Sequence, residues 1–333
     1  MTDFHLLIAD WYRLNFRELP WRNTKNPYFI WLSEIIMQQT RIEQGTAYYL
    51  KFIHAYPTVF DLAKATEEDV LNNWQGLGYY SRARNLHYSA NYIVDELNGE
   101  FPSTYDEILK LKGVGSYTAA AIASFAFNER KAVVDGNVYR FLSRLFDIST
   151  PIDSTQGKKE FQLIANELIE RAVPEIHNQA MMEIGSVICA PNPKCEECPV
   201  NIHCLARKND TIDQRPVKTK KTKVRDRYFH YLIYSFDGKT IITKRTKKDI
   251  WQNMYQFPLI ETSSNEIPAH IENRVQFSSE PQKHILSHQR IYARFHHIEE
   301  EPKTAEKDFI SIQESDIQDY PLPRIIDRYL ENL

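Results

Sequence analysis

Leu111-Lys112-Gly113-Val114-Gly115-Ser116-Tyr117 is the stretch that decides the fold of the first part of this 333-residue chain. Two glycines flank one apolar residue, so the backbone can turn tightly and point N–H groups outward. The alanine-rich segment from Tyr117 to Phe127 follows at once and predicts a helix, whose N-terminus favours a phosphate. A similar stretch is Gly76-Leu77-Gly78-Tyr79-Tyr80. On these residues alone, a plain helix–helix turn and a phosphate-binding hairpin both stay open.

The chain before residue 213 consists of segments of helical length, separated by Pro, Gly, Asn or Asp signals. We therefore predict an all-α domain over residues 1–213. The predicted helices are Phe4–Phe16, Tyr28–Gln39, Gln44–Tyr56, Glu67–Gln75, Ser81–Leu97, Tyr105–Lys110, Tyr117–Phe127, Val138–Phe146, Lys158–Val173 and Gln179–Ile188.

Residues 214–227 form a strongly basic segment in a chain whose overall formal charge is −3. Between Arg215 and Arg227, seven Lys or Arg residues oppose only Asp226, which gives 7 − 1 = +6. The low apolar content indicates an exposed linker. A strap that binds a polyanion is equally compatible with this composition.

Residues 228–333 show a different pattern and predict an α+β domain. Two strands, 228–236 and 239–244, are expected around an Asp237-Gly238 turn, with later strands at 275–277 and 291–297 and a closing helix over 316–333. No run of 18 apolar residues occurs anywhere in the chain, so the sequence predicts no membrane span.

All four cysteines of the chain lie close together, at Cys189, Cys195, Cys198 and Cys204, with the spacing C-x5-C-x2-C-x5-C. Clustered thiols without an apolar secretory segment favour a metal site in a reducing compartment over disulfides. Thiolate ligation suits both zinc and iron–sulfur clusters. Structural zinc sites usually contain two close pairs, whereas this array contains one. The spacing thus favours a [4Fe–4S] cluster with a structural role, and zinc stays the alternative.

Four further motifs and a D-G-N run accompany the hairpin and the cysteine loop. They are Leu19-Pro20-Trp21-Arg22, Trp31-Leu32-Ser33-Glu34-Ile35-Ile36-Met37-Gln38-Gln39-Thr40, Gly76-Leu77-Gly78-Tyr79-Tyr80-Ser81-Arg82-Ala83-Arg84-Asn85-Leu86, Val133-Val134-Asp135-Gly136-Asn137-Val138 and Asn178-Gln179-Ala180-Met181-Met182-Glu183-Ile184-Gly185. Together they resemble the helix–hairpin–helix DNA glycosylase superfamily, and within it the MutY-type adenine DNA glycosylases, over residues 4–208. The resemblance implies a helix–hairpin–helix at 111–118 and a [4Fe–4S] cluster on the loop 189–204.

The resemblance gives roles to two acids. Glu34 has apolar neighbours on nearly all sides of its predicted helix, so we expect it to be buried and its pKa to be raised. The alternative is that Glu34 is a charged residue at the surface. By resemblance, Glu34 protonates a ring nitrogen of adenine. Asp135 is locally a helix cap, but the resemblance implies that it stabilises, or briefly bonds to, the cationic sugar. Asn137 and Tyr117 match family residues that orient these groups.

Tyr117 also bears on the type of reaction, because related bifunctional enzymes of the endonuclease III type carry a lysine at this position. Without that amine no Schiff base can form there. We therefore expect base removal without efficient strand cleavage. The resemblance assigns DNA phosphate contacts to the hairpin residues Lys112, Gly113, Val114 and Gly115.

Other positions match family residues that contact the substrate. Those that probe and wedge the duplex beside the opposite base are Gln39, Thr40, Leu77 and Tyr79. Those near the extruded adenine are Trp21, Arg22 and Gln179. Without the resemblance, core packing would explain Tyr79 and a turn contact would explain Leu77.

The second domain resembles, more weakly, the Nudix-like domain by which MutY-type enzymes recognise 8-oxoguanine. The similarity rests on residues 251–258 and on His284-Ile285-Leu286-Ser287-His288, where Ser287 and His288 line up with the loop that reads the lesion. Leu286 stands where the family has Phe, and the first cysteine gap is five residues instead of six. No Nudix hydrolase box is present, so pyrophosphate hydrolysis is not expected.

The sequence therefore predicts a multidomain enzyme: an all-α glycosylase domain (1–213), a basic linker (214–227) and a Nudix-like domain (228–333). We expect it to excise adenine from double-stranded DNA containing A:8-oxoguanine or A:G mispairs, as a monomer in the bacterial cytoplasm, associated with the nucleoid. One alternative is a bifunctional glycosylase and lyase of the endonuclease III type. The other is a non-catalytic DNA-damage binding protein, which the presence of both Glu34 and Asp135 disfavours.

Overall fold

The computed structural model describes residues 3–219, 224–301 and 308–333. The chain divides into two compact units, one of residues 1–61 and 88–220 and the other of residues 62–87 and 221–333. Residues 62–87 thus group with the C-terminal residues, whereas the predicted domain boundary lies at residue 213. Lys220, Lys221 and Lys223 of the predicted linker lie outside the described residues.

The N-terminal part of the chain is helical. Twelve α-helices precede the strands in the described residues: α1 Phe4–Asn15, α2 Pro27–Ile36, α3 Ile42–Ala55, α4 Val59–Lys64, α5 Glu67–Trp74, α6 Ser81–Glu96, α7 Tyr105–Ile108, α8 Ser116–Phe127, α9 Gly136–Leu145, α10 Thr155–Ile169, α11 Pro174–Glu183 and α12 Leu205–Lys208.

Helix α2 lies at the centre of the first unit. Asn26 caps it by accepting a hydrogen bond from the Tyr28 amide, and Pro27 occupies its first turn, where the missing N–H costs nothing. Trp31 and Ile36 are fully buried, as expected for a helix that is apolar on all sides. Helix α2 packs on α8, whose alanines permit a close approach, and α1 packs on α11.

Three helical features differ from the sequence prediction. The short helices α4 and α12 were not predicted, and α11 begins at Pro174 instead of Gln179. Proline is favoured at the first helical position because its fixed φ suits the helix. Beyond Glu183 the helix continues as a π-helical turn, Ile184–Ile188, which leads into the cysteine loop.

The second unit contains two β-sheets. Its strands are β1 Arg225–Tyr234, β2 Lys239–Lys244, β3 Tyr255–Gln256, β4 Leu259–Thr262, β5 Phe277–Ser278, β6 Gln282–Ile285, β7 Gln289–Ile298 and β8 Phe309–Gln313, and its helices include α13 Ala269–Glu272 and α14 Arg324–Leu330. One sheet has the order β4-β1-β7-β5, with β6 also paired to β7; the other has the order β3-β2-β8. Strands β1 and β7 run parallel, and the other pairs are antiparallel.

The Asp237-Gly238 turn does not produce a long hairpin. Both residues have positive φ and a single bridge joins Phe236 to Lys239, but β1 and β2 then enter different sheets. The predicted closing helix is also divided, because Pro321 and Pro323 interrupt it and α14 begins only at Arg324.

Helix α5 explains why residues 62–87 group with the C-terminal residues. Glu68 accepts hydrogen bonds from the Tyr255 hydroxyl at 3.1 Å and the Lys244 ammonium at 3.3 Å, and Glu67 accepts one from Asn253 at 2.5 Å. In the parts of the chain that are described, no helix has the length and apolar character needed to cross a bilayer.

Candidate active site

Glu34 lies near the C-terminal end of α2 with 8% of its surface exposed. Burial raises its pKa to about 7, and the nearby carboxylate of Asp135 acts in the same direction. A carboxyl group with this pKa retains its proton in a large fraction of molecules near neutral pH. It therefore meets the requirement for a general acid.

Asp135 is the N-cap of α9. One of its carboxylate oxygens accepts from the Val138 amide at 2.7 Å, and the other accepts from the Asn137 side-chain amide at 2.9 Å. Burial raises its pKa, whereas these hydrogen bonds favour the ionised form and oppose that rise. The capping interaction expected from the sequence is thus present, and it also holds the carboxylate in one orientation.

Tyr117, in the first turn of α8, lies close to both acids. Its side chain hydrogen-bonds to Glu34, which lowers the pKa of that carboxyl relative to burial alone. Burial, together with the charges of Glu34 and Asp135, raises the pKa of Tyr117 well above its ordinary value. The phenol therefore stays protonated and acts as the donor, and the structure brings all three predicted groups together.

A pocket adjoins Glu34. The predicted base contacts Trp21, Arg22 and Gln179 all line it, together with apolar side chains such as Met182. A pocket that combines aromatic and apolar walls with polar groups that can fix an orientation is suited to a planar ligand with hydrogen-bonding edges.

An ion cluster supports one wall of this pocket. Glu183 is fully buried and accepts from the Arg17 guanidinium at 2.5 and 2.9 Å and from Arg22 at 2.6 Å. The two guanidinium groups lower the pKa of Glu183 against the opposing effect of burial. Arg22 also donates to the Arg17 carbonyl, so its position at the pocket is fixed from two sides.

The predicted hairpin connects α7 to α8. Gly113 has a φ of 83°, and the Val114 amide donates to the Leu111 carbonyl at 3.1 Å, which closes the turn. A side chain at Gly115 would meet nothing within 4 Å, so packing within the protein does not require glycine there. The Lys112 ammonium lies 4.0 Å from the centre of the Tyr88 ring, at the surface.

Gln39 and Thr40 follow α2 in the first unit. Gln39 is exposed and has a positive φ of 56°, an uncommon conformation for a non-glycine residue that often marks a functional position. Thr40 is half-buried, and its hydroxyl donates to the Gln38 carbonyl at 3.3 Å.

Leu77 and Tyr79 belong to the second unit, and they differ in exposure. Leu77 is only 7% exposed, so it does not project from the loop in this conformation, whereas Tyr79 is 46% exposed with a φ of 49°. Arg82 lies over the rings of both Trp74 and Tyr79 and donates to the Gly78 carbonyl at 3.1 Å. Tyr79 is thus held at the surface by its own loop.

Ser287 and His288 form the tip of the β6–β7 hairpin, also in the second unit. Both are exposed, and the serine hydroxyl lies 3.2 Å from a ring nitrogen of the histidine. The preceding Leu286 is half-buried, and its amide donates to the Gln289 carbonyl.

The four cysteines all line one cavity, whose other walls are mainly apolar. Among the described residues, no three His, Cys, Asp or Glu side chains are gathered closely enough to hold a single metal ion. The thiols surround a space instead of converging on a point. As a donor set, four soft sulfurs around an apolar cavity are chemically suited to an iron–sulfur group.

Arg140 links the cysteine loop to the acids. It donates to the carbonyls of Cys189 at 2.7 Å and Gly185 at 2.6 Å, and to the side-chain oxygen of Asn137 at 2.9 Å. Since Asn137 in turn donates to Asp135, a continuous set of hydrogen bonds joins the cysteine loop to that carboxylate.

Comparison with known proteins identifies two regions. Residues 32–171 match the HhH-GPD superfamily of base excision DNA repair proteins, and residues 230–332 match the NUDIX domain. Two adenine DNA glycosylases of Buchnera aphidicola are similar over most of the chain. The one from subspecies Baizongia pistaciae is 35% identical, over 87% of this chain and 84% of its own length. The one from subspecies Acyrthosiphon pisum is 33% identical, over 99% of this chain and 97% of its own length.

The chain belongs to the adenine DNA glycosylase family. It is accordingly a DNA glycosylase of base-excision repair, and both the resemblance and the predicted fold class are confirmed. A solved structure of a thermostable thymine-DNA glycosylase is similar with a TM-score of 0.58 and 29% identity, over 62% of this chain and 96% of that one. An endonuclease III in a DNA complex shares the fold, with a TM-score of 0.53 and 23% identity, over 63% of this chain and 97% of that one.

Sequence reasoning missed several residues that shape the site of this family member. Glu183 lies four residues after Gln179, so both fall on one face of α11, and that spacing was a usable signal. Arg17 and Arg140 gave no comparable signal, because their partners lie 166 and 49 residues away in the chain.

Proposed function

We propose that this enzyme hydrolyses the N-glycosidic bond of adenine mispaired with 8-oxoguanine or guanine in double-stranded DNA and leaves the strand uncut. The observation that carries the proposal is the buried pair of Glu34, with its pKa of about 7, and Asp135, with Tyr117 hydrogen-bonded to Glu34 and close enough to Asp135 to sense its charge. Two carboxyl groups in unlike surroundings are what glycoside cleavage uses, one as acid and one as anion.

In the proposed reaction, Glu34 gives its proton to a ring nitrogen of the adenine. The N-glycosidic bond then breaks with its electron pair on the base, and the ionised Asp135 stabilises the positive charge left on the sugar. Water adds to the sugar carbon and loses a proton to a carboxylate. General acid catalysis alone raises the reaction rate by about 10²- to 10⁴-fold. Enzymes commonly accelerate their reactions by about 10⁶-fold or more, so the Asp135 anion must contribute much of the remaining rate enhancement.

The monofunctional character rests on Tyr117, which occupies the place of the amine that a lyase would need. The nearest lysine along the chain, Lys112, has its ammonium against the Tyr88 ring. We assign Lys112 to DNA phosphate contact together with the amides of Gly113, Val114 and Gly115.

Extrusion of the adenosine costs a few kcal/mol of unpairing and unstacking. An exposed Tyr79 is suited to recover part of this cost by stacking, at about 1–3 kcal/mol per base. We also assign duplex contacts beside the opposite base to Gln39 and Thr40, and to Leu77 after a local change that exposes it. The base would enter the pocket lined by the side chains Trp21, Arg22 and Gln179.

We assign recognition of 8-oxoguanine to the exposed side chains of Ser287 and His288. They belong to a proposed lesion-recognition domain of residues 228–333. A basic linker of residues 214–227 would join it to a catalytic domain of residues 1–213. Cys189, Cys195, Cys198 and Cys204 would hold a [4Fe–4S] cluster, supported by the common cavity that they line. When bound, the cluster would tie the loop 189–204 to its neighbours. Arg140 would link the ordered loop to Asn137, because it donates hydrogen bonds to both the Cys189 carbonyl and the Asn137 side chain.

The deciding experiment is a single-turnover assay on an end-labelled duplex with adenine opposite 8-oxoguanine, each sample being split between alkali and no alkali. Breaks that appear only after alkali are expected. Breaks without alkali would refute the monofunctional assignment, and no breaks in either lane would refute adenine excision. The Glu34→Gln variant serves as the inactive control.

A further inference from the structure

Tyr12 is a buried residue of α1 that contacts the base pocket through another side chain. Its hydroxyl donates to the side-chain oxygen of Gln179 at 2.6 Å, across 167 residues of sequence. Tyr12 is 9% exposed and Gln179 is 8% exposed, so this hydrogen bond is shielded from water. Loss of such a bond leaves a buried acceptor without its donor.

Glu175 constrains the other end of the same amide. It lies one helical turn before Gln179 on α11 and accepts a hydrogen bond from the Gln179 side-chain nitrogen at 3.4 Å. The same carboxylate also forms an ion pair with the Lys25 ammonium. A carboxylate can only accept hydrogen bonds, so the nitrogen of the amide must face it.

The two contacts therefore define the orientation of the Gln179 amide. In the reverse orientation its oxygen would face the Glu175 carboxylate, and its nitrogen would face Tyr12. Burial raises the pKa of Tyr12, which keeps its hydroxyl a donor. The Arg22 guanidinium lies 5.7 Å from the centre of the Tyr12 ring, so the tyrosine is also packed against a wall of the pocket.

Gln179 and Glu175 both line the pocket beside Glu34. The pocket therefore offers an N–H donor next to a charged acceptor. Adenine presents a ring-nitrogen acceptor next to an amino donor, whereas a 6-oxopurine presents two acceptors on that edge. A 6-oxo group placed there would face the carboxylate, with lone pairs opposed.

We propose that Tyr12 is a positioning residue for base selection: it acts through Gln179, and with Glu175 it sets the pocket to accept a 6-aminopurine and reject a 6-oxopurine. This inference rests on the proposed function, because it assigns the adenine to this pocket. It adds a residue from α1 that lies behind the base-contacting side chains.

The test is a comparison of single-turnover excision rates for Tyr12→Phe and wild type on duplexes that carry adenine, unsubstituted purine or hypoxanthine at the target. We expect a loss of about 3- to 10-fold on adenine, the range of one ordinary hydrogen bond. Purine, which keeps the ring nitrogen that faces the Gln179 N–H, should lose activity by a similar factor. Hypoxanthine, whose 6-oxo group the carboxylate holds out of that position, should be little affected, so the preference for adenine over hypoxanthine should shrink by the same factor. In a Gln179→Ala background, Tyr12→Phe should have no further effect.

Tyr28→Phe is the matched control. Its buried hydroxyl donates to the Tyr56 carbonyl at 2.8 Å, so the substitution removes a comparable bond without touching Gln179. Any effect of Tyr28→Phe should be equal on all three bases. Glu175→Gln is the second test, since an amide accepts either orientation of Gln179, and it should also reduce the preference for adenine over hypoxanthine.

An equal loss on all three bases, or an additive effect in the Gln179→Ala background, would reduce Tyr12 to a structural residue and overturn the proposal. If the Tyr12→Phe variant does not fold, the Glu175→Gln variant is sufficient as a test, because an unchanged preference for adenine over hypoxanthine in that variant would overturn the proposal. Failure of the proposed function is seen separately, because the wild-type enzyme would then release no adenine.

Discussion

Replacing Glu34 by glutamine is expected to stabilise the protein at alkaline pH while it abolishes base excision. The carboxyl is buried in the first unit and burial raises its pKa from 4.5 to about 7. Because the pKa is higher in the folded state, the folded protein binds this proton more tightly than the unfolded chain. The group therefore favours folding most below pH 4.5, and that contribution is lost as the pH rises through about 7.

The magnitude follows from the two pKa values. A rise from 4.5 to about 7, at 1.36 kcal/mol per pKa unit, corresponds to about 3 kcal/mol over the whole titration. By the linkage relation, about 2 kcal/mol of this stabilisation is lost between pH 5.5 and pH 8.5. Glutamine does not titrate, so the stability of Glu34→Gln relative to wild type should increase by about 2 kcal/mol across this interval.

Urea unfolding of the intact proteins at pH 5.5 and pH 8.5 measures this difference. Glu96→Gln, a substitution at an exposed glutamate at the end of α6, is the matched control and should follow wild type at both pH values. An equal stability difference between Glu34→Gln and wild type at the two pH values would show that Glu34 does not carry a raised pKa. In that case the reasoning that makes it the general acid fails.

Three other predictions concern separate parts of the molecule. Tyr117→Phe removes a hydrogen bond that lowers the pKa of Glu34, so the decline of the excision rate at high pH should move to higher pH; an unchanged profile would contradict this contact. Cys198→Ser should reduce both iron content and visible absorbance, and zinc without iron in the wild-type protein would refute the cluster. Alanine at both Ser287 and His288 should reduce the preference for 8-oxoguanine over guanine by about 5-fold or more, at about 1 kcal/mol per lost hydrogen bond; an unchanged rate ratio would refute the assignment.

The parts of the fold that sequence could predict are those whose signals are local. Helix α2 combines an Asn26 cap, Pro27 in its first turn and apolar residues on every side, and each of these acts within a few residues. The burial of Glu34 follows from the same local pattern. The cap at Asp135 was likewise predictable, because an aspartate before Gly136 and Asn137 can satisfy the first amides of α9 only from that position.

The remaining features depend on contacts between distant residues. The Glu183 cluster needs Arg17 and Arg22, more than 160 residues away, so no window of sequence contains it. The Asp237-Gly238 turn was correctly predicted as a turn, but the separation of β1 and β2 depends on which later strands pair with each. The exposure of Leu77 depends in the same way on the packing around its loop.

The different roles that we propose for the two acids rest on their hydrogen-bond donors more than on their burial. Both carboxyl groups are in surroundings that raise their pKa. Asp135 accepts from the Val138 amide and from Asn137, and each of these bonds stabilises the anion. The ionised form of Glu34 is stabilised chiefly by the hydrogen bond from the Tyr117 phenol, whereas the neighbouring Asp135 charge opposes ionisation of Glu34. Ionisation of Asp135 therefore helps to keep the proton on Glu34, which suits the roles that we propose, with Asp135 as the anion and Glu34 as the acid.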